Sequence, residues 1–390
     1  MPGDELPRAL WKGDSARAAS RRILGDNQMN RQYTAVSGIA IALIVLNHTV
    51  HFTLQISPVS GYWLRAAVFL QAFGVFAVPA FLFVSGAFLS YAARQMSFTF
   101  LRNSIGRIFW PYAIWTAVFF VLVLPAADAL PSPAAYFRYI LTGYPYHFVP
   151  LLLFWYLSSP IVIKMASRLA IAAAMLVAIG GYQALLLVLR FPDVFSAAGA
   201  IPSWLQAARL PVLSAPLSDW AIYFPLGLVL SLHASKMKGL LHRAAALFVL
   251  AAGVLTVLGL LNAFGLAKAE WTRFVGPLPV MFVLPIVERS SIPFLGAFEF
   301  LGRRSYGIYL VHFVVLSLAA VLAARAHLAG LHMVVVTVLF VLGFGLPLLL
   351  MRAMTKADAG RRMYRFVFGT VPPSDGTRQG VRSVASPARA

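Results

Sequence analysis

The sequence predicts an all-α integral membrane protein of about ten transmembrane helices. Three observations carry this. Apolar residues make up 60% of the 390 and charged residues only 11%, with a mean hydropathy of +0.80, a balance foreign to soluble domains of this size. The apolar residues gather into ten runs. The lysines and arginines border those runs and are shared unevenly between the two sides.

Taken in order, the first run covers 34–56 and follows a polar, basic stretch at 1–32. That run is too long for the core of a cleavable leader and offers no small-residue cleavage site. The second covers 66–91 and the third 108–130, reached through a basic loop carrying Arg94, Arg102 and Arg107. The fourth and fifth, 147–166 and 169–189, are the weakest division, since only Lys164 to Arg168 separates them. The longest connection, Arg190 to Asp219, is rich in proline and tryptophan and suits an ordered lid at the interface. The remaining runs are 219–234, 244–263, 272–287, 305–324 and 332–351. The expected organisation is a basic tail at 1–32, a ten-helix domain at 33–355 and a basic tail at 356–390. The last tail is Ser/Gly/Arg-rich from Pro372 and expected to be disordered.

With the N-terminus inside, 25 lysines and arginines fall on the cytoplasmic side and 7 outside. The seven are Arg65, Arg138, Arg190, Arg209, Lys268, Arg273 and Arg325. This bias puts both termini in the cytoplasm and supports an even number of spans. A net charge of +20 invites a nucleic-acid reading. The basic residues do not interleave with aromatics on a soluble face, so the expected partner is membrane lipid and not nucleic acid. The chain has no cysteine, which excludes disulfides, thiolate metal sites and cysteine nucleophiles.

None of the twelve carboxylates lies near the middle of a span. That argues against a proton-coupled transporter and against a hard-cation site. Histidines remain. His48 lies about 14 residues into the first helix, roughly 21 Å along an apolar core of about 30 Å. An ionisable group at that depth faces a cavity or a partner. It is either a functional group or a neutral imidazole bonded to a neighbouring helix. His51 shares its helix face and Asn47 adjoins it. His312 lies in the ninth span, one face with Tyr309, and His147 opens the fourth. Their spacing fits no metal-ligand motif, so no metal is expected.

A neutral histidine in a water-poor pocket can remove a proton from a hydroxyl as the oxygen attacks a thioester. A thioester donor made in the cytoplasm brings phosphates that Arg102 and Arg107 can hold. The alternative for both arginines is that they only fix topology. Ser85 and Gly86 suit close helix packing, and Trp155 and Tyr156 suit packing or a substrate lining. Asn47 can position the acyl oxygen or orient His48. The competing class is a transporter or flippase for a polar lipid or metabolite, although broken helices or buried charges at the midplane are its usual mark.

Six segments, in order, resemble the acyltransferase-3 family of bacterial membrane O-acyltransferases. They are "SGIAIALIVLNH" ending at His48, "FLFVSGAFL" from Phe81, "RNSIGRIFWPY" from Arg102, "FWYL" from Phe154, "YFPLGLVLS" from Tyr223 and "GRRSYGIYLVH" ending at His312. The resemblance runs from about residue 31 to 355. It implies a bacterial inner-membrane enzyme with no bound cofactor. The donor would be cytoplasmic acyl-CoA, acetyl-CoA in the simplest case. The acceptor would be a hydroxyl of a carbohydrate or glycolipid at or beyond the outer face. It implies that His48 is catalytic, with Asn47 beside it, and that Arg102 and Arg107 bind the donor. His51, Ser85, Trp155, Tyr309 and His312 are then the candidates to line the substrate site. Three departures stand out. Ser37 takes the place of an arginine eleven residues before the histidine. Asn103, Ser104 and Gly106 thin the basic loop. Leu153 replaces a histidine, with His147 nearby but shifted.

Overall fold

In a bilayer each backbone must satisfy its own hydrogen bonds, and all regular elements among the described residues are helical. The computed structural model describes residues 8–56, 61–93, 96–127, 132–192, 202–210, 212–287, 291–326 and 332–372, with 8–30 described by backbone alone. The helices are α1 (Arg8–Ile56), α2 (Gly61–Gly74), α3 (Ala77–Ala92), α4 (Phe98–Val118), α5 (Pro133–Thr142), α6 (Phe148–Ala166) and α7 (Leu169–Arg190). There follow α8 (Ser214–Trp220), α9 (Tyr223–Leu232), α10 (Ala234–Ala263) and α11 (Thr272–Ile286). The last four are α12 (Leu295–Gly302), α13 (Ser305–Arg325), α14 (His332–Lys356) and α15 (Asp358–Phe368).

Within the described residues all ten apolar runs fold as helix, but not all as straight spans. Among the described residues eight segments are long and apolar enough to cross a bilayer. The run at 219–234 belongs to the pair α8–α9, bent by 46°, which makes a ninth span if counted as one. The run at 272–287 forms α11, a shorter apolar helix. Prolines explain both. Pro225 cannot donate to the carbonyl four residues back, and α11 carries Pro277, Pro279 and Pro285.

Other boundaries also move. The arginines at 102 and 107 are not in a loop. α4 starts at Phe98, capped by Ser97, whose Oγ accepts the Phe100 N–H at 3.1 Å. It runs on through a π-helical turn at Phe119–Val123. The basic stretch before residue 31 extends α1 back to Arg8, while 1–7 lie outside the described residues. At the other end, the tail expected from 356 contributes α15 to the fold. Tyr364 and Phe368 are buried, and Trp115 Nε1 donates to the Val367 carbonyl at 2.9 Å. Residues 373–390, most of the expected disordered tail, lie outside the described residues. So do 193–201 and 211 of the expected lid. Within its remainder Tyr182 Oη donates to the Ala208 carbonyl at 2.8 Å.

Packing between apolar helices depends on close backbone approach. A Cβ on Gly86 would fall 2.0 Å from the Phe224 carbonyl oxygen, and one on Gly227 1.9 Å from that of Phe83. α3 and α9 therefore cross backbone to backbone. At one end of the bundle, Arg31 reaches the buried Glu299 of α12 at 2.9 Å and Arg303 lies 3.9 Å from it. This is the basic end, which also carries Arg102 and Arg107 on α4.

Candidate active site

The site forms where α1 and α13 meet. His48 and His312 face each other with ring centroids 5.4 Å apart. The edge of Phe313 closes on His48 at 5.0 Å and Tyr309 stands 5.7 Å from His312. His312 is fully buried, and its Nδ1 lies 3.1 Å from the Ile308 carbonyl one turn back. A carbonyl only accepts, so Nδ1 carries the proton and Nε2 keeps its lone pair. That Nε2 is buried with no hydrogen-bond partner among the described residues. An orphaned buried acceptor costs about 1–3 kcal/mol, so its retention calls for a functional explanation.

His48 opens into two cavities on the side away from the basic end. One, of about 520 Å³, is lined also by His51, Tyr144, His147 and Phe313. The other, of about 350 Å³, is lined also by Asn47, His147, Arg190, Asp219, Arg273 and Tyr309. Asn47 fits there because the α2–α3 break falls at a glycine. A Cβ on Gly74 would lie 2.6 Å from the Asn47 Cγ.

A third cavity, of about 620 Å³, opens at the basic end. Among the described residues Arg107 is its only charged lining residue, beside Ser37, Ser85, Ser104, Tyr156, Ser305, Tyr306 and Thr370. Phe148 and Tyr309 line this cavity and the 350 Å³ one, their rings 4.6 Å apart. These two rings therefore stand between the basic-end cavity and the space that His48 faces.

The remaining candidates scatter. Ser85 lines the basic-end cavity, and His51 lines the 520 Å³ cavity with its Nε2 3.1 Å from Gln55 Nε2. Arg102 is exposed and outside the cavity lining. Trp155 is buried, stacked on Phe224 at 5.9 Å, and lines none of the three cavities. Among the described residues no group of three or more His, Asp or Glu could hold a metal ion. Sequence reasoning passed over Arg190, Asp219 and Arg273 as residues of the outer loops. Tyr306, one turn before Tyr309 and bonded through its hydroxyl to the Ile108 carbonyl at 2.7 Å, was also missed.

Together these features define an all-α integral membrane protein with a histidine pair of which His48 fronts two cavities, while the buried His312 lines none of the three. The model of the acyltransferase-3 family, described as an acyltransferase domain, matches residues 34–352. The chain belongs to that family and is a membrane acyltransferase. Comparison with curated proteins and with solved structures gave no match.

Proposed function

We propose that the protein carries an acyl group, acetyl in the simplest case, from cytoplasmic acyl-CoA to a hydroxyl of a sugar or glycolipid at the outer face of a bacterial inner membrane. The basic end faces the cytoplasm in this reading, as the distribution of lysine and arginine supports. One observation carries it. His48 fronts both cavities of one end, and the smaller of them shares the Phe148–Tyr309 ring pair with the Arg107 cavity of the other.

The donor's phosphates sit at Arg107, whose Nη2 and Nε are already oriented by Ser104 Oγ at 3.1 Å and the Asn103 carbonyl at 3.2 Å. The thioester reaches past the ring pair. The acceptor oxygen attacks the thioester carbon while its proton passes to His48. The carbonyl electrons move onto oxygen, where the Asn47 amide donates a hydrogen bond. Collapse breaks the C–S bond. The thiolate takes the proton back from His48, leaving an ester and free CoA thiol. His312 positions His48 through the facing ring.

The test is thiol release from acetyl-CoA by the purified protein with a panel of sugar acceptors. His48→Gln keeps a polar side chain but no base. It should turn over about 10²–10⁴-fold more slowly while binding CoA unchanged. His51→Ala should cost far less. Near wild-type turnover by His48→Gln overturns the mechanism.

A further inference from the structure

We infer that the 350 Å³ cavity binds an anionic group on the acceptor, a carboxylate or a phosphate, through Arg273. The inference rests on the acyl-transfer reading above and specifies the acceptor's chemistry. Arginine is scarce at this end of the bundle, because basic residues crowd the other. Two of the few present there nevertheless converge on one small cavity, together with His48 and Asn47.

Their charges are not balanced. Arg190 Nη1 pairs with Asp219 Oδ1, and Ser218 Oγ donates to the same oxygen at 2.9 Å. Both contacts fall on one oxygen of the Asp219 carboxylate, which is thus committed first to Arg190. Arg273 has no carboxylate within ion-pair distance among the described residues. Asp219 and the exposed Glu270, three residues earlier, attract Arg273 through space without an ion pair, and Glu270 lines only the neighbouring cavity. The cavity lining is left with two guanidinium groups against one carboxylate.

Arg273 is also held ready for a ligand. Its guanidinium lies over the Phe274 ring at 4.5 Å and approaches Phe191 at 5.7 Å. Stacking on rings fixes the plane and leaves the N–H edge free, the arrangement suited to two-point contact with a carboxylate or phosphate. Since His48 lines the same cavity, an acceptor anchored by its anion at Arg273 presents a hydroxyl to the base. A cavity of this size falls within the range of small-ligand sites.

The experiment is calorimetric titration of the full-length protein in detergent, without donor, with glucuronate, glucose 1-phosphate and glucose. At least one of the two anions should bind about tenfold or more tightly than glucose. Which one does so separates a carboxylate-bearing from a phosphate-bearing acceptor. Arg273→Gln should abolish the preference without altering CoA affinity. Arg273→Lys, which keeps the charge but not the fork, should retain part of it. Equal affinity for all three sugars, no binding of any, or a preference that survives Arg273→Gln overturns the inference. Because no donor is present, the outcome is independent of turnover. Anion preference without any thiol release would remove the acyl-transfer reading alone. His48-dependent thiol release with indifference to acceptor charge would remove the anion site alone.

Discussion

Arg102 and Arg107 look equivalent in the sequence and are not equivalent in the fold, so donor affinity should separate them. Arg107 is partly buried and supplies the only charge that the described residues place in the lining of the basic-end cavity. Two of its nitrogens are engaged by Ser104 and Asn103 on its own helix. A guanidinium has five N–H donors, so the engaged pair fixes the fork and the others remain for a phosphate. Losing one charge-assisted contact costs about 1.5–3 kcal/mol, roughly a ten- to hundred-fold rise in Kd. Arg107→Ala should show that loss in CoA titration of the purified protein, and the contact should weaken with added salt. Arg107→Lys should fall between, since an ammonium keeps the charge without the fork. Arg102 is exposed and outside the lining, so Arg102→Ala should change affinity by no more than about twofold. Unchanged affinity in Arg107→Ala, or an equal loss in Arg102→Ala, refutes the placement of the donor in this cavity.

Two further outcomes follow from the same geometry. His312→Leu keeps an apolar side chain between the helices but removes the ring that faces His48, so turnover should fall about 10²-fold with CoA affinity unchanged. Wild-type turnover would show that His312 only packs. For orientation, reporter fusions after Ala200 and after Gly239 should report opposite sides of the membrane, and equal signals from both would undo the assignment of the basic end to the cytoplasm.

The spans were legible because apolar runs are a compositional signal, and composition survives errors in boundary. What composition does not carry is the start of a helix in polar sequence. The apolar run begins near 108, which puts Arg102 and Arg107 in a loop, yet Ser97 caps a helix from Phe98. Once that cap is recognised the difference between the arginines is readable. Five residues at about 100° each put the two side chains about 140° apart around the axis, so both cannot face one cavity. Similarly, Tyr364 and Phe368 are four apart with Arg361, Arg362 and Arg365 around them, an amphipathic pattern inside a stretch read as tail. The pairing of His48 with His312 is different in kind. Each histidine stood out by its depth, but nothing in the residues themselves says that α1 and α13 adjoin; only the resemblance suggested that both mattered. The Arg190–Asp219–Arg273 cluster, likewise, joins α7, α8 and α11 and has no local signature.

The distribution of charge suits the proposed reaction better than it would suit transport of an ion or a polar solute. In that reaction the group that would pass the centre of the bundle is an uncharged acyl chain, while its carriers would stay at the two ends. Cations accordingly stand at the ends, Arg107 in one cavity and Arg190 with Arg273 in another. Between them lie aromatic rings and two histidines. Histidine is the economical base for such a position. A carboxylate there would have to be kept ionised away from water, at a cost of several kcal/mol even after relaxation, whereas an imidazole is neutral before the attack and neutral again once the thiolate has taken the proton. In the proposed reaction the positive charge on His48 would exist only while negative charge builds on the thioester oxygen and sulfur beside it, so the two would offset each other when the low dielectric makes that attraction strongest.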